Sequence, residues 1–142
     1  MMIACLHTVG SLIPVFDTEA GKLGLSLRHT LRDDLLREAE RAGGLNEDIA
    51  TRTAAALNEL AGDADAVLLT CSTLGPSVAR ASAPVPVLRV DEALARSAVA
   101  GGGRVVVLCA VETTLEPSRA LFERHAARSG AHVETRLVPG AW

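Results

Sequence analysis

Short apolar runs recur along this chain between amphipathic segments. Apolar runs that lack helical spacing and are bounded by Gly, Pro, Asn or Asp are typical of β-strands. The pattern predicts six strands, at residues 2–9, 23–29, 66–69, 85–90, 104–111 and 132–138. Residues 23–29 alternate apolar and polar side chains, which predicts a half-buried or edge strand.

Between these runs, apolar residues recur at the three- and four-residue spacing of amphipathic helices. Helices are predicted at 31–42, 46–60, 91–100 and 112–129, with one or two helical turns at 76–83. Asn46 and Asp91 are placed to cap two of them. Pro14 biases Ile13 away from helical conformation, so residues 13–16 are predicted to be irregular.

Strands separated by helices predict an α/β fold, an open parallel sheet with flanking helices and right-handed crossovers. A chain of 142 residues is long enough to bury the core of one domain. We expect a first part at residues 1–95 and a smaller second part at 96–142, which together can form one compact unit.

Composition excludes several classes of function. The chain has a net charge of −3, few aromatic residues and arginines scattered along its helices, so no nucleic-acid surface is predicted. No apolar stretch approaches the roughly 20 residues of a membrane span, and no signal peptide is recognisable, which predicts a cytoplasmic protein. Three widely spaced cysteines argue against a disulfide framework.

Cys71 is the strongest candidate for chemistry. It follows the buried strand 66–69 and precedes a segment rich in hydroxyl groups, glycine and proline. Ligands of open parallel sheets bind at the carboxyl ends of the strands, where the next helix offers unpaired amides to an anion. A thiol at that position is expected to be stabilised as the thiolate, which can act as a base or a nucleophile.

The other cysteines and the histidines are weaker candidates. Cys5 and Cys109 lie within apolar strands and are predicted to pack as small hydrophobic residues. Cys5 and His7 share a strand face, but no second close-spaced pair completes a tetrahedral set, so no metal site is predicted. His7 is expected to border the same pocket as Cys71, and His29 is a less certain neighbour.

Two hydroxyl-rich segments resemble each other. Residues 72–77 and 113–118 match at nearly every position, and each follows an apolar strand. The match has two explanations, a shared rule for starting helices or a shared design for binding a ligand. On the second explanation, hydroxyls at helix N-termini bind a carboxylate; the four candidates are Ser72, Thr73, Thr113 and Thr114.

Taken together, these motifs resemble the aspartate/glutamate/hydantoin racemase superfamily. The resemblance rests on residues 70–76, on 90–93, on 113–117 and on the opening 7–16, and it spans essentially the whole chain. It implies two pseudo-symmetric halves with an active site between them. On this reading the chain contains the first half and part of the second, and the strand that delivers the second cysteine would follow Trp142.

The resemblance also implies a mechanism without a cofactor. In such racemases, one cysteine removes the proton from the substrate α-carbon and a second returns it on the opposite face. Cys71 corresponds to the first cysteine, with His7 and the four hydroxyl residues lining the carboxylate site. Many racemases have Asn where this chain has Ser72, so amino-acid specificity does not carry over. Glu112 matches Cys71 in the internal repeat, but a carboxylate at a helix start is its simpler interpretation.

Two functions therefore stay open at this stage. The first is a racemase or isomerase that uses a cysteine thiolate on a small carboxylate, such as an amino acid or a hydantoin. The second is a catalytically incomplete module of the same fold that binds or senses the carboxylate. An unfinished second half would leave apolar surface and a sheet edge exposed, so we expect a homo-oligomer.

Overall fold

The computed structural model describes residues 1–142 and confirms an α/β fold with parallel sheets and flanking helices. The strands are β1 Met2–His7, β2 Ser26–Leu31, β3 Ala66–Leu69, β4 Val87–Arg89, β5 Arg104–Cys109 and β6 His132–Leu137. The α-helices are α1 Ile13–Leu23, α2 Asp33–Arg41, α3 Glu47–Leu60, α4 Glu92–Val99 and α5 Leu115–Ala126. Short 3-10 helices lie at Gly10–Leu12, Ala61–Asp63, Gly75–Arg80 and Glu112–Thr114.

The chain forms two compact units, Met1–Arg89 and Val90–Trp142. The first contains a parallel four-stranded sheet in the order β2-β1-β3-β4. From β1 the chain crosses through α1 to β2 on one side, and then through α2 and α3 to β3 on the other. The strand order therefore reverses between β1 and β3, which creates a topological switch point at their carboxyl ends.

Alternation along the strands gives this sheet two different faces. Ala4 and Leu6 of β1 are fully buried in register with Val67 and Leu69 of β3. These side chains pack in one apolar cluster with residues of α2 and α3, among them Leu35, Leu36, Ile49 and Leu57. Cys5 and His7 point to the opposite face, and His29 joins them there because it pairs in register with Cys5.

The second unit is a parallel β-α-β arrangement built from β5, α5 and β6, together with α4. Its core contains Ala95, Val99, Leu121, Phe122 and Ala126, with Val105, Val107 and Val133 packed against them. Glu92 of α4 accepts hydrogen bonds from Arg124 and His125 of α5, which joins the two helices. The predicted boundary at residue 95 falls inside α4.

Several predicted details are corrected. Residues 13–16 are not irregular, because Pro14 occupies the first turn of α1, where its missing N–H group costs no helical hydrogen bond. That helix extends to Leu23 and ends at Gly24, whose φ of 67° is left-handed, so β2 begins only at Ser26. Asn46 caps α3 as predicted, whereas the Asp91 side chain makes no capping bond to α4.

No helix combines the length and the apolar character that crossing a membrane requires.

The apolar cluster beneath α2 and α3 is expected to carry much of the stability of the first unit. Leu57 on α3 is fully buried, so Leu57→Ala should lower the free energy of unfolding by about 2–5 kcal/mol. Leu23 on α1 is 72% exposed, and Leu23→Ala should stay within about 0.5 kcal/mol of the wild type. Urea unfolding followed by far-UV circular dichroism measures both values. Equal losses in the two variants would contradict this description of the core.

Candidate functional site

The candidate site lies at the carboxyl ends of β1 and β3, at the switch point of the four-stranded sheet. His7 is the last residue of β1, and Thr70 and Cys71 directly follow β3. Thr70 continues the pairing of the two strands, because its backbone N–H donates to the Leu6 carbonyl oxygen at 3.0 Å. The sheet therefore brings His7, Thr70 and Cys71 to one edge.

Cys71 is largely enclosed. Cys71 is 7% exposed and belongs to the apolar cluster beneath α2 and α3. Ser72 beside it is partly buried, and Thr73 is 1% exposed. Ser72, Thr73 and Leu74 form a turn that leads into the 3-10 helix Gly75–Arg80, so no regular α-helix starts directly after the thiol. Cys71, Ser72 and Thr73 are thus together at this edge, with the thiol near the apolar core.

A chain of hydrogen bonds runs from Thr70 to the protein surface. The Thr70 hydroxyl lies 2.8 Å from His7 Nδ1, and His7 Nε2 lies 2.8 Å from His29 Nδ1. His29 Nε2 lies 2.9 Å from Asp17 Oδ1 on α1. His7 is fully buried, whereas the side chain of Asp17 is 58% exposed. Both nitrogens of each imidazole ring therefore have a partner within the protein.

The backbone explains why these groups meet. Strand pairing places His29 beside β1 on the face that carries Cys5 and His7. Helix α1 covers that face, since Phe16 contacts the His7 ring edge-on, with 5.4 Å between ring centroids, and Asp17 reaches His29. Cys5 Sγ and one nitrogen of each imidazole lie within 4.8 Å of one another. The result is a buried Cys5–His7–His29 cluster.

Burial controls protonation in this cluster. Burial raises the pKa of the Cys5 thiol to about 11, and the negative charge of Asp17 acts in the same direction. The pKa of His7 is lowered mainly by burial and secondarily by the neighbouring His29, with Asp17 opposing both effects. Cys5 is therefore a neutral thiol at pH 7, and His7 favours the neutral imidazole.

Arg89 is a buried cation at the same edge of the sheet. It ends β4, pairs in register with Leu69 and is 9% exposed. Its guanidinium group lies directly over Gly75, where an added Cβ would come within 2.5 Å of one guanidinium nitrogen. The buried hydroxyl of Ser77, two residues later, has no hydrogen-bond partner. The segment after Cys71 thus lies against the positive charge of Arg89 and contains an unsatisfied hydroxyl group, that of Ser77.

The remaining predicted residues belong to the second unit. Thr113 and Thr114 follow the carboxyl end of β5 and lie in the 3-10 helix that precedes α5. The Thr114 hydroxyl donates to the Val111 carbonyl oxygen at 2.7 Å, and Thr113 is partly buried. Cys109 is the last residue of β5 and is 5% exposed, consistent with a packing role. Glu112 is exposed, as expected for a carboxylate at a helix start.

Two residues of this edge, Asp17 and Arg89, were not among the candidates predicted from the sequence, and His29 was a less certain one. Arg89 is the only charged residue in the apolar run 85–90, a signal that could have identified it. His29 could have been paired with Cys5 had the register of β1 and β2 been known. Asp17 directly follows the segment 13–16 that was predicted to be irregular, and no helix was predicted at residue 17, so its position on a helix facing His29 could not be anticipated.

The contact between Arg89 and Gly75 can be used to test whether the Arg89 side chain is held in place at this edge of the sheet. Gly75→Ala forces the buried guanidinium to move, so we expect the free energy of unfolding to fall by about 1–3 kcal/mol. Gly62→Ala is the matched control, because no atom lies within 4 Å of an added Cβ there and its φ is not positive. Chemical denaturation of both variants measures the difference. A Gly75 variant as stable as the Gly62 variant would show that Arg89 is not held in place.

Comparison with known proteins does not assign a family. No protein-family model matches the chain, and no curated protein matches it either. The functional proposals below therefore depend on the motifs in the sequence and on the geometry of the switch point.

Proposed function

We propose that this protein catalyses proton transfer at the carbon next to a carboxylate or, in a hydantoin, next to a ring carbonyl, as a racemase or isomerase of the aspartate/glutamate/hydantoin type. Cys71 is the proposed base, and no cofactor is needed for this step. The substrate is a small carbon acid such as an amino acid or a hydantoin. The observation that carries the proposal is the position of Cys71 after β3, at the switch point of a parallel sheet.

The chemistry requires a thiolate and a way to stabilise negative charge. The Cys71 thiolate takes the proton from the α-carbon, and the electron pair left on that carbon spreads into the carboxylate, or into the ring carbonyl of a hydantoin, as an enolate-like charge. Return of a proton to the same carbon completes the exchange. Cationic and hydroxyl groups beside the substrate lower the free energy of the charged intermediate.

Groups suited to this task lie in the segments around Cys71. Arg89 is a guanidinium, the side chain best matched to a carboxylate in geometry and charge. Ser72 and Thr73 follow the thiol directly, and the Ser77 hydroxyl has no partner within the protein. A buried hydroxyl without a partner requires an explanation, and a bound ligand supplies one. We place His7 behind these groups, as a residue that positions Thr70 through its hydrogen bond.

A second function is favoured by the burial of Cys71. The residue is 7% exposed and packs in an apolar cluster, surroundings that disfavour a thiolate. A module that binds the carboxylate through the same edge, without turnover, needs no reactive thiol. Thr113 and Thr114 are proposed carboxylate-binding residues under both functions.

Isotope exchange tests the enzyme proposal directly. The full chain is incubated in D₂O with aspartate, glutamate or a 5-substituted hydantoin, and proton NMR follows loss of the α-hydrogen signal. We expect exchange with at least one of these compounds. Cys71→Ser should slow it by at least about 100-fold, because the proposed base is removed.

Cys109→Ser provides the matched control, since it removes another buried thiol, on the second unit. It should exchange at the wild-type rate. No exchange, combined with a rise in melting temperature when the carboxylates are added, would favour the binding module. Exchange that persists unchanged in Cys71→Ser would refute the role of this thiol.

Self-association is proposed on the exposed features of the second unit. Strands β5 and β6 form an isolated two-stranded sheet, and Val106 and Leu108 on β5 are 41% and 67% exposed. Open sheet edges and exposed apolar side chains favour pairing with a second copy. Light scattering coupled to size exclusion should therefore give about twice the chain mass of 14.8 kDa, and Leu108→Lys should shift it toward the monomer. A wild-type monomer at high concentration would contradict this.

A further inference from the structure

We propose that Cys5, His7 and His29 bind a divalent transition-metal ion of the zinc class. The three residues supply one sulfur and two imidazole nitrogens, the ligand types that Zn²⁺ prefers. Their ligand atoms lie within 4.8 Å of one another on one face of the sheet. Its ligands do not include Cys71, so the proposal does not depend on the chemistry proposed there, although His7 and Thr70 lie at the edge that both sites share.

The hydrogen bonds outside the cluster support this assignment. The His7 and His29 nitrogens that face each other are 2.8 Å apart, while the outer nitrogens contact Thr70 and Asp17. Histidine ligands of metal ions typically donate their second N–H to a carboxylate, a carbonyl or a water, which orients the ring and fixes its tautomer. Asp17 provides such a carboxylate, and the Thr70 hydroxyl takes the equivalent place for His7.

The protons in this series of hydrogen bonds can be arranged in two ways, which differ in whether an ion is needed between the rings. In one, the Thr70 hydroxyl donates to His7, and His7 Nε2–H donates to His29. In the other, the Thr70 hydroxyl donates to the Leu6 carbonyl oxygen, 3.2 Å away, and accepts from His7 Nδ1–H, while His29 donates to Asp17. Both rings are neutral in either arrangement, but in the second no proton lies between them and two lone pairs face each other, so that arrangement is complete only with a cation between the rings. A cation placed there binds both lone pairs.

The bonds that form and break on metal binding can be stated in full. Two metal–nitrogen bonds and one metal–sulfur bond form, the S–H bond of Cys5 breaks, and its proton leaves to solvent. Tetrahedral bond lengths separate such ligands by about 3.3–3.7 Å, so the two rings move apart by about 0.5 Å from their ion-free contact. The His29 side chain is 16% exposed, which provides access for the ion and leaves the fourth position to water.

Cobalt titration of the full chain under reducing conditions tests the site. Co²⁺ should bind at one equivalent and give the thiolate-to-cobalt charge-transfer absorption and intense visible bands of four-coordinate cobalt, and Zn²⁺ should remove both. Cys5→Ser should abolish the charge-transfer absorption. His29→Asn and Thr70→Val should each weaken binding by about 10- to 100-fold, the second through loss of the outer hydrogen bond.

Cys109→Ser is the matched control and should bind cobalt as the wild type does, since that thiol lies in the second unit. NMR of the wild type provides a measurement that does not depend on variant folding, because Zn²⁺ should shift the imidazole nitrogen signals of both histidines at one equivalent. An unchanged N–H···N bond between the rings at that concentration would show that a proton alone occupies the position. That result, or charge-transfer absorption that persists in Cys5→Ser, would overturn the proposal.

Discussion

The parallel pairing of β1 between β2 and β3 is the constraint on which the first unit depends. One register sets Leu6 against Leu69 and Cys5 against His29. Because successive side chains point to opposite faces, a shift of one residue in β1 would send its apolar side chains toward α1 and its polar ones into the core. The same register brings the ends of β1 and β3 to one edge, where Thr70 and His7 meet. Core, cluster and switch point are therefore consequences of a single alignment.

The two faces of the sheet are stabilised in different ways, one by apolar burial and the other by hydrogen bonds. Beneath α2 and α3, burial of leucine, isoleucine and valine side chains stabilises the unit without any polar partner. Beneath α1, two imidazoles and a thiol are buried, and such groups are costly unless they are hydrogen-bonded. The series of hydrogen bonds from Thr70 through His7 and His29 to Asp17 meets that requirement for the two imidazoles and extends to the surface. These hydrogen bonds restrict the orientation of both rings, which an apolar face could not do.

Sequence reasoning predicted the elements better than the contacts between them. The strand ending at Leu69, the cap at Asn46 and the edge position of β2 follow from local patterns, and each is observed. Pro14 misled the prediction, since proline suits both an irregular segment and a first helical turn, and only packing decides between them. The Cys5–His7–His29 cluster depends on the register between β1 and β2, which brings together His7 and His29, 22 positions apart in the sequence. No local pattern encodes that register. Arg89, by contrast, could have been identified from the sequence, because it is the one charged residue in an apolar strand.

The contrast between Cys5 and Cys71 shows how one sheet can give two thiols different chemistry. Cys5 faces α1, where burial and, secondarily, the negative charge of Asp17 raise the pKa of its thiol to about 11. Cys71 packs on the other face with the apolar cluster, and the nearby segment carries the guanidinium of Arg89 over Gly75. A fixed positive charge in surroundings of low dielectric acts strongly on both a thiolate and a carboxylate. We therefore propose Cys71 as the thiol for proton transfer, because its edge of the sheet also contains the buried guanidinium of Arg89.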